Sequence, residues 1–137
     1  MNPLVRWGKF NLVGVMGAMV QLGSLAILNR MMPGHYLVAS AVALELTLLH
    51  NFVWHVHYTW RDRRERTSLL GQCVRFHLSN GMMSLVGNLV LMKLLVSGAR
   101  LPVLAANGIA ILCCSLVNFC LGETWVFGAK RLQPKVG

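Results

Sequence analysis

The sequence predicts an all-α integral membrane protein, a four-helix bundle built from two helical hairpins repeated in parallel. Three observations predict it. Hydrophobic residues make up 55% of the 137-residue chain and charged residues only 12%, about half the charged share of soluble domains. Four nearly uncharged stretches are each long enough to cross about 30 Å of hydrocarbon. The second half of the chain repeats the first at a constant spacing, as Gly14 on Gly81 and Asn51 on Asn118 illustrate.

The spans fall at about residues 11–29, 36–56, 77–96 and 101–121. The first has no charge and carries Gln21 in its middle; the second holds one acid, Glu45. The third has Lys93 near its far end, and the fourth has no charge. Met32, Pro33 and Gly34 break the chain after the first span, and Gly98 to Pro102 break it before the fourth. Gly14, Gly17, Gly23, Gly81, Gly87 and Gly108 lie inside spans, where small residues let helices approach closely. Residues 1–137 therefore read as one transmembrane domain.

Charge sets the expected orientation. There are 13 Lys and Arg against 4 Asp and Glu, a formal net charge of +9. Arg6, Lys9, Arg61, Arg63, Arg64, Arg66, Arg75, Lys130, Arg131 and Lys135 fall on one side, and only Arg30, Lys93 and Arg100 on the other. Both termini and the central connector are thus expected in the cytoplasm. Trp7, Phe10, Trp54, Tyr58, Trp60, Phe76, Trp125 and Phe127 fall at that same interface, against Tyr36 at the opposite one. A soluble nucleic-acid binder is also basic but spreads its charge along a polar face. Membrane lipids, and no nucleic acid, are the expected partners. Collagen, disulfide scaffold, acidic disordered tail and coiled coil are excluded by the same counts. A basic start before an apolar run also fits a signal peptide. No small-residue cleavage site follows here, and the repeat makes the first span part of the fold.

The repeat overlays residues about 6–61 on about 73–130. Gly14 falls on Gly81, Gln21 on Asn88, Ala39 on Ala106, Ser40 on Asn107 and Ala43 on Ala110. Asn51-Phe52 falls on Asn118-Phe119, and Tyr58-Thr59-Trp60 on Trp125-Val126-Phe127. Lys9-Phe10 matches Arg75-Phe76 with a shift one residue smaller. Each copy crosses the membrane twice, so both have the same orientation and are related by an axis along the membrane normal.

The entry Lys9-Phe10, the run from Ala39 to Asn51-Phe52, and Asn118-Phe119 followed by Trp125-Val126-Phe127 resemble the GtrA-like family. The resemblance extends from about residue 6 to 130. It implies a small four-helix protein of the bacterial inner membrane, of a kind also fused to polyprenyl-phosphate glycosyltransferases. Two positions depart from that pattern: Gln21, where the first helix often carries an acid, and Glu123, where the exit is usually more basic.

Candidate site residues are the polar groups that apolar helices must accommodate. An acid in mid-span costs about 3 kcal/mol on insertion scales, while each Leu, Val or Phe around Glu45 returns roughly 0.3–0.6 kcal/mol. Glu45 therefore inserts but is expected to face a partner or a wet cavity. Gln21, Glu45 and Asn88 lie near mid-bilayer and, with Asn107, form the candidate substrate path. The acid reads equally as a binding or proton-carrying group and as a packing hydrogen bonder. Asn51, Phe52, Asn118, Phe119, Trp60, Trp125 and Phe127 are motif positions, and the two asparagines read as structural at helix ends. His50, Trp54 and His57 share one helix face, with His55 nearby, and read as interfacial anchors. No closed ligand set makes a metal site. Cys73, Cys113, Cys114 and Cys120 have neither metal nor disulfide spacing. Arg61, Arg63, Arg64 and Arg66 mark topology and attract anionic headgroups, or dock a lipid phosphate through bidentate pairing.

No phosphate loop, paired carboxylates or activated nucleophile is present, so neither enzyme nor cofactor is expected. The resemblance implies work in cell-surface polysaccharide synthesis: translocating a polyprenyl-phosphate-linked sugar, or assisting that step. A wide sugar path through so few polar groups calls for a homo-oligomer. The alternative is a non-transporting scaffold that anchors a glycosyltransferase. A third reading, a proton-coupled cation exporter, fits less well, because such proteins carry their acid in the first helix.

Overall fold

The computed structural model describes residues 1–66 and 68–128, apart from the side chains of Tyr36 and of residues 64–66 and 103–104. Regular structure among the described residues is helical throughout. Four helices are long and apolar enough to cross a membrane: α1 (Pro3–Met31), α2 (Leu37–Thr59), α3 (Leu69–Gly98) and α4 (Ala105–Val126). The chain divides into two compact units, Met1–Arg61 and Asp62–Gly137. The first contains the hairpin α1–α2 and the second the hairpin α3–α4.

The helices run past their apolar windows because the flanking polar residues cap them instead of breaking them. Asn2 caps α1, its side chain accepting from the Leu4 N–H at 2.9 Å, and Pro3 enters at a position that needs no donor. At the other end Arg30 lies in the last turn, favourable against the helix dipole, and Gly34 (φ 84°) turns the chain. Ser68 caps α3 by accepting from the Gly71 N–H at 3.1 Å. That helix closes at Arg100, which is left-handed (φ 55°), while the Leu101 N–H donates to the Leu95 carbonyl at 3.0 Å. Pro102, which cannot continue the ladder, then precedes α4.

The first hairpin closes on a small residue. A Cβ built on Gly17 would stand 2.6 Å from Asn51 Nδ2 and 2.7 Å from Asn51 Cγ. Only glycine lets α2 come this close. Val13, Ala39, Ala43 and Val56 are buried in the same unit. The end that carries the N-terminus is a ring cluster. Phe10 stacks on His55 (centroids 4.9 Å apart, planes 11° from parallel) and meets Trp60 edge-on at 6.0 Å. His55 Nδ1 lies 3.0 Å from Thr59 Oγ1, so the polar side of the buried ring is satisfied.

The second hairpin uses the same contact with different chemistry. Asn118 Nδ2 donates to Ser84 Oγ at 3.3 Å, and Cys114 Sγ lies 3.6 Å from the Met83 carbonyl. Gly87 admits Cys114, whose Sγ would be 3.3 Å from a Cβ there. Phe76 packs against Phe127 at 6.4 Å. Both hairpins end in a five-residue π turn at the same repeat position, His55–Thr59 and Gly122–Val126. The Trp60 N–H closes the first onto His55 O (2.8 Å), and the Phe127 N–H closes the second onto Gly122 O (2.9 Å). At these hairpin ends the duplication seen in the sequence is a duplication of backbone geometry, whereas α3 carries π turns at His77–Gly81, Met83–Gly87 and Lys93–Gly98 where α1 is α-helical throughout.

Candidate functional site

Helix contacts give the level of each polar candidate within its own hairpin. In the first, Gly17 faces Asn51, so Gln21, one turn further along α1, is level with Thr47. Thr47 satisfies its hydroxyl within α2 by donating to Ala43 O at 2.8 Å. Glu45 follows two residues away, about 3 Å along the axis. Gln21 is half-buried and Glu45 exposed. The two share a depth, and Glu45 lies at the surface, with Leu44 and Leu46 also exposed beside it.

In the second hairpin Asn118 faces Ser84, so Asn88 is level with Cys114. Asn107 lies seven residues beyond Cys114, about 10 Å along the axis. Asn88 and Asn107 are both half-buried but occupy different depths. Of the two candidates on this unit, Asn88 is the one near the tight contact between α3 and α4.

The basic connector is partly committed to holding the fold. Arg63 Nη1 donates to Glu123 O at 2.8 Å and to Phe127 O at 3.3 Å, and Nη2 pairs with the Glu123 carboxylate. Arg75 Nη1 donates to Trp125 O at 3.1 Å. Two guanidinium groups thus cap the carbonyl end of α4, where cations are favoured and the last carbonyls lack helical partners. Glu123 is what the connector grips. Arg61 and Asp62 are exposed. The side chains of Arg64 and Arg66, and residues Lys130, Arg131 and Lys135, lie outside the described residues.

The aromatic motif residues divide into two roles. Trp60 and Phe127 are 1% and 3% exposed and close the hairpin ends, as Phe10 and Phe76 do from the opposite helix. Phe52 is buried and Phe119 half-buried. Trp54 and Trp125 are exposed, and Trp54 meets Tyr58 edge-on at 6.3 Å while Lys9 Nζ sits 4.5 Å above the Tyr58 ring. His55 parts from the exposed histidine face: it is buried inside the ring cluster while His57 is exposed.

Several residues that matter were not singled out by motif. Gly17 and Ser84 occupy the same repeat position and receive the two motif asparagines. Arg6 and Gln72, related by the shorter shift that links Phe10 to Phe76, are both buried, at 3% and 1% exposure. The signal for Gly17 and Ser84 was their shared repeat position opposite Asn-Phe, and for Arg6 and Gln72 it was the shorter shift alone.

A family model described as "GtrA/DPMS, transmembrane domain" matches residues 9–133. A dolichol-phosphate mannosyltransferase of Pyrococcus furiosus is 32% identical over 120 residues, covering 85% of this chain and 33% of that protein. The chain therefore spans about a third of the length of the curated relative it matches.

Proposed function

Taking as premise that the chain belongs to the GtrA/DPMS transmembrane-domain family, we propose that it translocates polyprenyl-phosphate-linked sugars, or assists their translocation, in cell-surface polysaccharide synthesis. The membrane is the bacterial inner membrane, with both termini and the Arg-rich connector in the cytoplasm. What supports this reading is a set of polar residues on otherwise apolar helices: Gln21 and Glu45 close to one level of the first hairpin, and Asn88 in the second. A sugar phosphate needs polar partners to pass hydrocarbon, whereas its polyprenyl tail is at home in lipid. An intramembrane acid is costly enough that a function is its default explanation. Asn107, at another depth, extends the same path, and a homo-oligomer widens it. Exposed Arg61, with Arg64 and Arg66, meets lipid headgroups and the substrate phosphate at the cytoplasmic surface.

The test is reconstituted translocation of a defined lipid-linked sugar in proteoliposomes. Glu45→Gln and Gln21→Leu are expected to lower the rate at least about tenfold, the effect of roughly 1.4 kcal/mol on a barrier, with insertion unchanged. Unaltered rates would remove the path.

A second reading is favoured by one specific fact. The mannosyltransferase relative is about three times as long as the matched region, so a membrane portion of this kind occurs beside a much larger remainder. On this reading the chain anchors a separate glycosyltransferase, is itself non-catalytic, and carries no sugar. The enzyme would then co-purify with it and lose its membrane-dependent activity when the chain is deleted, while proteoliposomes holding the chain alone would translocate nothing.

A further inference from the structure

Four pairs of positions related by the repeat lie within about one turn of one another in each hairpin: Gly17 and Ser84, Gln21 and Asn88, His50 and Val117, Asn51 and Asn118. In the first hairpin the asparagine is satisfied. Asn51 rests on Gly17, and its Oδ1 lies 3.2 Å from His50 Nδ1, which donates in the tautomer that carries its proton there. In the second hairpin the neighbouring donor is missing, because Val117 stands where His50 stands. Asn118 Nδ2 donates to Ser84 Oγ, but Asn118 Oδ1 is buried with no hydrogen-bond partner among the described residues. The residue is 8% exposed. Asn88, one turn along α3 from Ser84, carries a second buried Oδ1 without a hydrogen-bond partner among the described residues.

Turning the Asn118 amide over does not remove the deficit. Ser84 would then donate to Oδ1, and the amide hydrogens would be left over in its place. The missing group must donate in the orientation described and accept in the flipped one, so a group that does both suits either. A carboxylate or phosphate only accepts, so in the orientation described it would meet two carbonyl oxygens. A bare cation would enter a helix pair whose α4 carries no charge before Glu123. A hydroxyl group meets every requirement.

We propose that Asn118, with Ser84 and Asn88, forms a hydroxyl-binding site between α3 and α4 of the second hairpin. Two sources bring this chemistry. One is a water molecule held between the helices, as buried polar groups commonly hold one. The other is a sugar hydroxyl of the lipid-linked substrate, and this source rests on the function proposed above. The copies differ at three of these four positions, and the donor beside the asparagine is lost at one of them, where Val117 replaces the His50 of the first copy.

The test uses the full chain in lipid nanodiscs, with isotope-labelled asparagine, and reads magnetisation transfer from water to each side-chain amide by NMR. In the wild type Asn118 shows a bound-water signal and Asn51 shows none. Val117→His supplies the missing donor and abolishes the Asn118 signal. His50→Val does the reverse and creates the same signal at Asn51, so the inference survives if one variant fails to fold. Octyl glucoside that displaces the water signal and shifts the Asn118 amide, where its fully O-methylated counterpart does neither, supports the site and assigns it to sugar hydroxyls. A water signal indifferent to both compounds supports the site as one for water. A wild-type Asn118 amide that answers neither water nor glucoside overturns the proposal. Failed translocation with an intact Asn118 response counts against the proposed function alone.

Discussion

Asn51 and Gly17 set the spacing of the first hairpin: the amide of one occupies the space where a side chain on the other would begin. The equivalent pair in the second hairpin, Asn118 and Ser84, is joined by a hydrogen bond of 3.3 Å. One pair is steric and the other polar, so substitution affects them differently.

Gly17→Ala is expected to destabilise the chain by about 1–3 kcal/mol, the usual cost of overpacking a tight contact. Ser84→Ala loses a single interhelical bond and is expected to cost roughly 0.6 kcal/mol. Detergent-unfolding titrations followed by circular dichroism measure both. In an Asn51→Ala background the Gly17→Ala penalty is expected to shrink to a few tenths, and equal penalties in the two backgrounds would refute the contact.

The ring cluster gives a second expectation. Phe10 stacks on His55 and meets Trp60, and all three are buried. Phe10→Ala should cost about 3 kcal/mol or more. His55→Phe keeps a ring against Phe10 but surrenders the contact with Thr59 Oγ1, and should cost about 1 kcal/mol. Should the same titration find His55→Phe as damaging as Phe10→Ala, the stacking account fails.

Arg63 holds three acceptors at the end of α4, of which only one is the Glu123 carboxylate. Arg63→Ala is therefore expected to cost more than Glu123→Gln, by about 1 kcal/mol, because the backbone carbonyls lose their donor only in the first. The ion pair is partly exposed, with side chains 20% and 26% accessible, so its own share is screened and should fall as salt is raised. Equal stabilities of the two variants at every salt concentration would contradict this.

Orientation is open to a direct check. Asp62 is exposed in the connector. With the four native cysteines replaced by serine, Asp62→Cys should react with a membrane-impermeant thiol reagent in inverted vesicles and remain protected in intact cells with the outer membrane opened. Labelling from the periplasmic side would reverse the assigned topology.

The helices and their duplication were legible without coordinates; the partners of individual side chains were not. The spans around Gln21, Glu45 and Asn88 are visible as windows nearly free of charge, and the duplicated Asn-Phe pair marks equivalent positions of the two second helices; it does not mark their ends, since α2 runs on to Thr59 and α4 to Val126. The same windows could not say that α3 begins at Leu69, since capping by Ser68 carries the helix through a polar stretch. Nor could spacing separate His55 from its neighbours: one helix face covers His50, Trp54 and His57, yet His55 is buried against Phe10 on another helix. Arg63 reads as one more basic residue in a row until Glu123 is found beside it.

Membrane residence, four crossings and a doubled hairpin follow from the chain's composition and order, because transfer into hydrocarbon sums over residues and a repeat is a property of the string. Which side chains meet was decided only in three dimensions. The rotation and depth at which two helices pack select one partner for each, and neither quantity is written in the period of the apolar residues.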